Sequence, residues 1–260
     1  MKSVIEWLLG GIAGDDDDIL QRALASIRKS EIARNILAGD RSKNIRIFID
    51  HQTDTPYCND KAIGLLPWMS IEHLVGDLAH EVAHIDQDSR LDFSPSNLSR
   101  DDFLIYRRII EADADATALA ICDQIAQSGD SAPLDALRVS RQRKDIAAAF
   151  YQSLDISDQS ENRRRLPLQN SFFAWFDNPW YSSIYDAESL GILAHVAQKR
   201  PEEMRKWGTE KLTADAVRRI ATLPGSAESY LPENDPRLAA LLEPPSPASP
   251  ISRNRPVPGC

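Results

Sequence analysis

Cysteine is scarce in this 260-residue sequence. The three present, Cys58, Cys122 and Cys260, are odd in number and lack ligand spacing, which excludes a disulfide framework and a thiolate metal site. A reducing compartment fits that usage, and the expected location is the cytoplasm. Positive charge is in deficit too. At a net charge of −9 the surface is unsuited to displacing counterions from phosphates, which argues against a nucleic-acid partner. The densest basic run, Arg163, Arg164 and Arg165, reads as a solvated loop or helix end. Long apolar runs are missing as well: none reaches the roughly 18 residues of a membrane span. The apolar stretch within Met1 to Gly14 is interrupted by Glu6 and followed at once by Asp15 to Asp18, unlike a conventional secretory leader. No internal repeat is visible.

What is present is ordinary for a packed, soluble protein: 42% hydrophobic and 27% charged residues. Residues Ile19 to Leu37 carry apolar positions at helical spacing behind the Asp run, whose charge suits a helix start. Ile45 to Asp50 alternates like a half-buried strand, and Ala62 to Leu66 is a second strand candidate that stops at Pro67. A helix from Ser70 to about Asp88 follows, with Ser70 as cap, then a long one from about Asp101 to Gln127 behind the capping-box-like Ser99 to Asp102. Another helix is expected from Pro133 to about Leu154. Leu166 to Tyr185 reads as aromatic and irregular, and shorter helices are expected at Asp186 to Gln198, Glu202 to Trp207 and Thr213 to Thr222. Six of the last 17 residues are proline, so 244–260 is expected to be a disordered tail. The chain before it reads as one domain, 1–243, with a core over about 16–127 and a helical part over about 131–223.

The chemistry concentrates in Leu78-Ala-His-Glu-Val-Ala-His84, an HExxH sequence within an apolar-periodic helix. Two imidazoles four residues apart share one helix face and reach one ion at Zn–N distances of roughly 2.0–2.1 Å. Glu81 sits beside that face, where its carboxylate accepts a proton from a metal-activated water without being a ligand. Gly76, Ala79 and Ala83 are small enough to let another element approach this helix. A catalytic zinc needs a third protein ligand and an open fourth position. Twenty-seven residues beyond His84, Glu111-Ala-Asp-Ala-Asp115 offers one. At about 100° per residue Asp115 lies about 40° from Glu111 and Asp113 about 200° away, so Asp115 alone shares its face. His80, His84 and Glu111 are therefore the expected ligands of one Zn2+ per chain. Asp115 is the expected acceptor for the free N–H of His80, and Asp88, one turn past His84, the expected acceptor for that ring.

The HExxH helix followed by a Glu-x-x-x-Asp helix resembles the gluzincin branch of zincin metallopeptidases. More narrowly, Leu78 to Gln87 together with Arg108-Ile-Ile-Glu-Ala-Asp-Ala114 looks like a bacterial family of uncharacterised metallopeptidase domains. That resemblance covers roughly Ile45 to Ala120. It implies a mostly helical α+β fold: a zincin-like core with a small sheet beside the active-site helix, and a helical C-terminal half. It also implies a strand able to hold an extended peptide, by position Ala62 to Leu66. The sequence departs from thermolysin-like enzymes in having Ile110 where an Asn often precedes the third ligand, and no downstream histidine motif is recognisable. The donor for a transition-state oxyanion is then sought among Tyr185, Tyr181 and His195, with Tyr185 preferred because it starts a helix after the aromatic stretch. His195, His51 and His73 fall outside ligand spacing and read as packing or satisfied histidines. The expected partner is a peptide or protein substrate. Two rivals remain, a regulatory zincin-fold protein that binds a partner and a hydrolase of a non-peptide amide.

Overall fold

The computed structural model describes residues 4–87, 90–154, 161–223, 226 and 228–243; of 4–15, 161 and 162 the backbone alone is described. Its organising element is a 28-residue helix, α4 (Arg100–Gln127), about 42 Å long at 1.5 Å per residue. Ser99 caps it by accepting the Asp102 N–H at 3.1 Å. From Ile109 to Cys122 every residue of α4 is buried, so this stretch is wrapped on all sides rather than amphipathic. Alternating alanines at 112, 114, 116, 118 and 120 keep it thin enough for α3 (Ile71–Gln87), α5 (Ala132–Val139), α7 (Arg165–Asp177) and α8 (Pro179–Lys199) to pack around it. The expected close approach to α3 occurs at Gly76, where an added Cβ would meet Leu137 of α5 at 2.8 Å.

Ahead of these lie α1 (Val4–Ile27) and α2 (Glu31–Ala38), so the expected single pattern over Ile19 to Leu37 is two helices. The break falls where Ser30 caps α2 by accepting the Ala33 N–H at 3.2 Å. The Asp run lies inside α1 and does not start it. Three strands form one small sheet in the order β1 (Arg46–Ile49), β3 (Ala62–Leu65), β2 (Tyr57–Cys58). β1 runs parallel to β3 and β2 antiparallel, the β2–β3 turn being tied by Asn59, whose side-chain oxygen accepts from the Lys61 and Ala62 amides at 2.9 Å. The strand expected to hold an extended peptide is thus the central one, with both backbone edges occupied. Sequence alternation did not betray the two-residue β2, too short to show a period.

Two other expectations are corrected. Pro133 to Leu154 is not one helix but α5 and α6 (Lys144–Gln152), separated by a turn over Ser140 to Arg143. The aromatic stretch is not irregular but helical. α7 buries Phe172 and Trp175 completely, Asn178 caps α8 by accepting the Trp180 N–H at 3.1 Å, and Pro179 takes the first helical turn. Aromatics lose about 0.5 kcal/mol of helix propensity each, whereas burying one contributes about 1.5–3 kcal/mol, so packing wins. The helix expected at Asp186 to Gln198 is the C-terminal half of α8. The helix expected at Glu202 to Trp207 is a short 3-10 segment, Glu203–Lys206, and α9 (Ala214–Ile220) and α10 (Pro236–Leu242) complete the described α-helices. Among the described residues no helix is long and apolar enough to cross a membrane. The expected tail, 244–260, and Cys260 lie outside the described residues.

Cys122 is a free thiol. Cys122 is fully buried on α4, and burial pushes its thiol up to about 12. Cys122 is expected to stay unmodified by iodoacetamide in the native protein and to react only on unfolding. Peptide mapping that finds it alkylated in the native protein would contradict its placement.

Candidate metal centre

α3 and α4 pack against each other over much of their length, and the site lies on their facing sides. His80 and His84 are one turn apart on α3, and Glu111 approaches from α4. His80 Nε2 is 3.3 Å from Glu111 Oε2, His84 Nε2 is 3.6 Å from the same oxygen, and the two Nε2 atoms are 3.2 Å apart. Those three atoms form a nearly equilateral triangle. Zinc ligands at about 2.0–2.1 Å in tetrahedral array stand about 3.3 Å from one another, so the donor set fits an ion of that size.

The remaining ring atoms fix the tautomers. Asp115 Oδ1 accepts from His80 Nδ1 at 2.8 Å. At His84 the partner is Gln87, whose Oε1 accepts from Nδ1 at 2.7 Å. The Gln87 amide is oriented without ambiguity, because its Nε2 donates to the Ile110 carbonyl at 2.7 Å and to Asp113 Oδ2 at 2.8 Å. Both neutral rings therefore aim Nε2 lone pairs at the point that Glu111 also faces, and a cation there satisfies all three at once. Asp88 lies outside the described residues, and the position expected for it beside His84 is taken by Gln87.

Electrostatics lead to the same place. Asp77, Glu81, Glu111 and Asp115 are all buried, against the guanidinium groups of Arg143 and Arg107. Among these groups carboxylates outnumber guanidiniums, so the centre as a whole favours a cation. Burial opposes a proton on His80, yet Asp115 and Glu111 overcome it and hold its pKa up at about 10. Burial likewise opposes charge on Glu111, but His84 and His80 outweigh it and keep that carboxyl well below its ordinary range. Protons and a metal cation compete for the same nitrogens. Glu81 differs: its burial dominates and raises its pKa, although His80 and His84 pull the other way.

The site opens on a cleft of about 1120 Å3, whose walls include Tyr57 and Cys58 of β2 and Trp180, Ile184 and Tyr185 of α8. Tyr185 thus shares the cleft with the three donors. Burial first, then the Glu111 and Asp115 carboxylates, raise its phenol pKa and keep it a proton donor. Tyr181 also lines the cleft, but its ring stacks on Trp175 at 5.3 Å and its buried hydroxyl has no hydrogen-bond partner among the described residues. His195 is exposed on α8 and lines no part of the cleft, so it is not a packing histidine. His73, at the cleft wall, bonds Ser70 Oγ at 3.0 Å, and His51 pairs with Asp16 at 2.7 Å.

A family model described as "Putative metallopeptidase family (DUF6782)" matches residues 15–230. The chain belongs to that family. No curated protein and no solved structure matches it. The buried His80–His84–Glu111 group, able to hold a metal, agrees with the family's description.

Four residues of the centre escape a reading of the sequence. Gln87 is three residues from His84 on the same helix face, a spacing that was open to inspection. Arg143 comes from the α5–α6 turn, donating through Nε to Asp115 Oδ1 at 2.9 Å and through Nη1 to Asp77 Oδ1 at 2.5 Å. Reading α5 and α6 as one helix hid it. Tyr230 donates to Asp113 Oδ1 at 2.7 Å, completing a chain from His84 through Gln87 and Asp113 to the C-terminal part, and no local pattern announces it. Arg107 stands one turn before Glu111, with Nη2 3.4 Å from Glu111 Oε1. Gln87→Ala is expected to weaken metal affinity about 10–100-fold, with Tyr230→Phe giving a smaller loss in the same direction, measured by competition with a chromogenic chelator. Wild-type affinity in Gln87→Ala would show that His84 needs no support from it.

Proposed function

We propose that this member of the family is a zinc-dependent peptidase of the zincin type, with a gluzincin ligand set. The observation that carries this reading is the convergence of His80 Nε2, His84 Nε2 and Glu111 Oε2 at separations of 3.2–3.6 Å on the wall of an open cleft, with Glu81 buried beside them. His80, His84 and Glu111 hold the ion; Asp115 and Gln87 fix the two rings. A bound zinc supplies Lewis acidity toward a substrate carbonyl and toward water. Glu81 accepts the proton of the attacking water and returns it to the leaving amine, and a pKa raised by burial brings it nearer the working range of a general base. Tyr185, protonated and in the same cleft, is the preferred side-chain donor to the carbonyl oxygen.

A structural zinc site usually fills four positions with protein ligands, whereas three donors here leave a fourth side toward the cleft. That favours hydrolysis over a purely stabilising site. The test is metal analysis combined with cleavage of a proteome-derived peptide mixture. About one zinc per chain, cleavage that stops on chelation and returns on adding zinc, and new peptide termini in the products are expected. Protein that binds zinc and yields no new termini would leave the regulatory reading standing.

A further inference from the structure

α4 and α8 run antiparallel across the metal centre. Arg108 Nε donates to Asp186 Oδ1 at 2.7 Å and Arg107 Nη2 stands 3.6 Å from Glu188 Oε1. One turn further along α4, Glu111 is the charge that, after burial, most raises the Tyr185 phenol pKa, and a turn beyond that Asp115 does the same for Tyr181. Positions 181, 185 and 188 of α8 therefore pass 115, 111 and 107 of α4 in turn, with the metal donor Glu111 opposite the middle of the run. Beside this run Trp180, Ile184 and Glu188 recur every four residues, forming one stripe of the helix, and all three line the cleft. Trp180 and Ile184 are 48% and 42% exposed, and Glu188 is about half-exposed. Single apolar side chains on a surface are ordinary, but two on successive turns facing a cleft that holds three metal donors make an apolar shelf open to solvent.

The exposed charge of the cleft is acidic. Among its described lining residues Asp54, Asp60 and Glu188 are exposed carboxylates, against one exposed cationic side chain, Arg41. Glu188 is loosely held. Its contact with Arg107 at 3.6 Å is longer than the roughly 2.7–2.9 Å of a good charge-assisted bond, and Arg107 is shared with Glu111 at 3.4 Å. The stripe is thus apolar at one end and acidic at the other, with Glu111 between. We propose that the cleft takes polypeptide segments that are apolar on one side of the scissile bond and basic on the other. The apolar side chain rests on Trp180 and Ile184, and a Lys or Arg side chain reaches Glu188. The inference rests on the peptidase reading above and adds the substrate class. Its spacing follows from the helix: Glu188 lies about 6 Å along α8 from Ile184 and about 12 Å from Trp180, at 1.5 Å per residue. An extended peptide covers that span in about two to four residues at about 3.3 Å each. Burial of the apolar side chain supplies most of the affinity, while charge sets the orientation and rejects acidic segments.

The experiment gives the zinc-loaded full chain four internally quenched peptides of equal length, in which phenylalanine or serine is paired with lysine or glutamate three residues away. Hydrolysis is read by fluorescence, the cleaved bond by product mass, and binding by anisotropy of labelled copies on zinc-loaded Glu81→Gln. The phenylalanine–lysine peptide is expected to be the best, cleaved between those two residues. Serine for phenylalanine should lower kcat/KM and affinity by about 10-fold or more. Glutamate for lysine should lower them by about 3–20-fold, an effect that shrinks as salt is raised. Glu188→Lys is expected to abolish the preference for lysine, Glu188→Gln to reduce it, and Trp180→Ala combined with Ile184→Ser to abolish the preference for phenylalanine, all with zinc content unchanged. The proposal is overturned by equal rates and affinities on the four peptides, by a preference for glutamate, by cleavage outside the phenylalanine–lysine interval, or by preferences that survive in the variants. A sedimenting dimer that the Trp180→Ala, Ile184→Ser variant dissociates would assign the shelf to a second copy and also overturn it. The expected order of binding with no cleavage by wild type overturns the peptidase reading alone, whereas cleavage indifferent to the four sequences removes the substrate class and leaves that reading in place.

Discussion

Glu81→Gln is expected to retain zinc and to lose hydrolysis by about 10²–10⁴-fold, the usual contribution of a positioned proton-transfer group. The amide occupies the same volume as the carboxyl but cannot take a proton from water. Glu81 is not among the three converging donors, so the ion's ligands stay intact. Because burial raises the pKa of Glu81, its carboxyl is costly to hold as an anion, and the neutral amide is expected to leave folding stability unchanged or slightly higher. Metal analysis, thermal unfolding and single-turnover cleavage of the same preparation separate these effects. A variant that cleaves at the wild-type rate would leave the mechanism without its base.

The second large effect is expected at Glu111. Removing its carboxylate takes away the donor that both imidazoles face, at 3.3 Å and 3.6 Å, and uncouples Arg107 as well. Zinc affinity should fall further than the roughly 10–100-fold that loss of a supporting partner costs. Glu111→Gln is the informative variant, since it preserves shape and the amide oxygen remains a weak neutral donor. Glu111→Ala additionally leaves a cavity on the face of α4 that packs against α3. The expected order of zinc affinity is wild type, then Glu111→Gln, then Glu111→Ala, by equilibrium dialysis. Zinc content unchanged in both variants would show that another group holds the ion.

These expectations draw on parts of the molecule that were unequally readable. The HExxH spacing places His80 and His84 on one face of one helix, and the same rotation arithmetic on α4 turns Asp115 toward Glu111's side and Asp113 away. In the fold Asp115 meets His80 at 2.8 Å, while Asp113 meets Gln87 and Tyr230. Such relations lie within a single helix, where covalent geometry fixes direction. The aromatic segment carried a comparable signal, with Phe172, Phe173 and Phe176 spaced for a helix, but composition overshadowed spacing. The strand Ala62–Leu65 was legible as a strand and not as a central one, since strand order depends on partners far along the chain.

The sequence alone therefore singled out the candidate donors, their facing directions and a largely helical frame with a small sheet, because each follows from periodicity over a few residues. The tertiary structure alone decided that Arg143 is carried into the site by a turn and that Tyr230 anchors Asp113. Those contacts join residues whose separation along the chain, or whose side-chain direction, no local period encodes. They are set by which helix faces bury together around α4 and by the need of every buried charge for a partner.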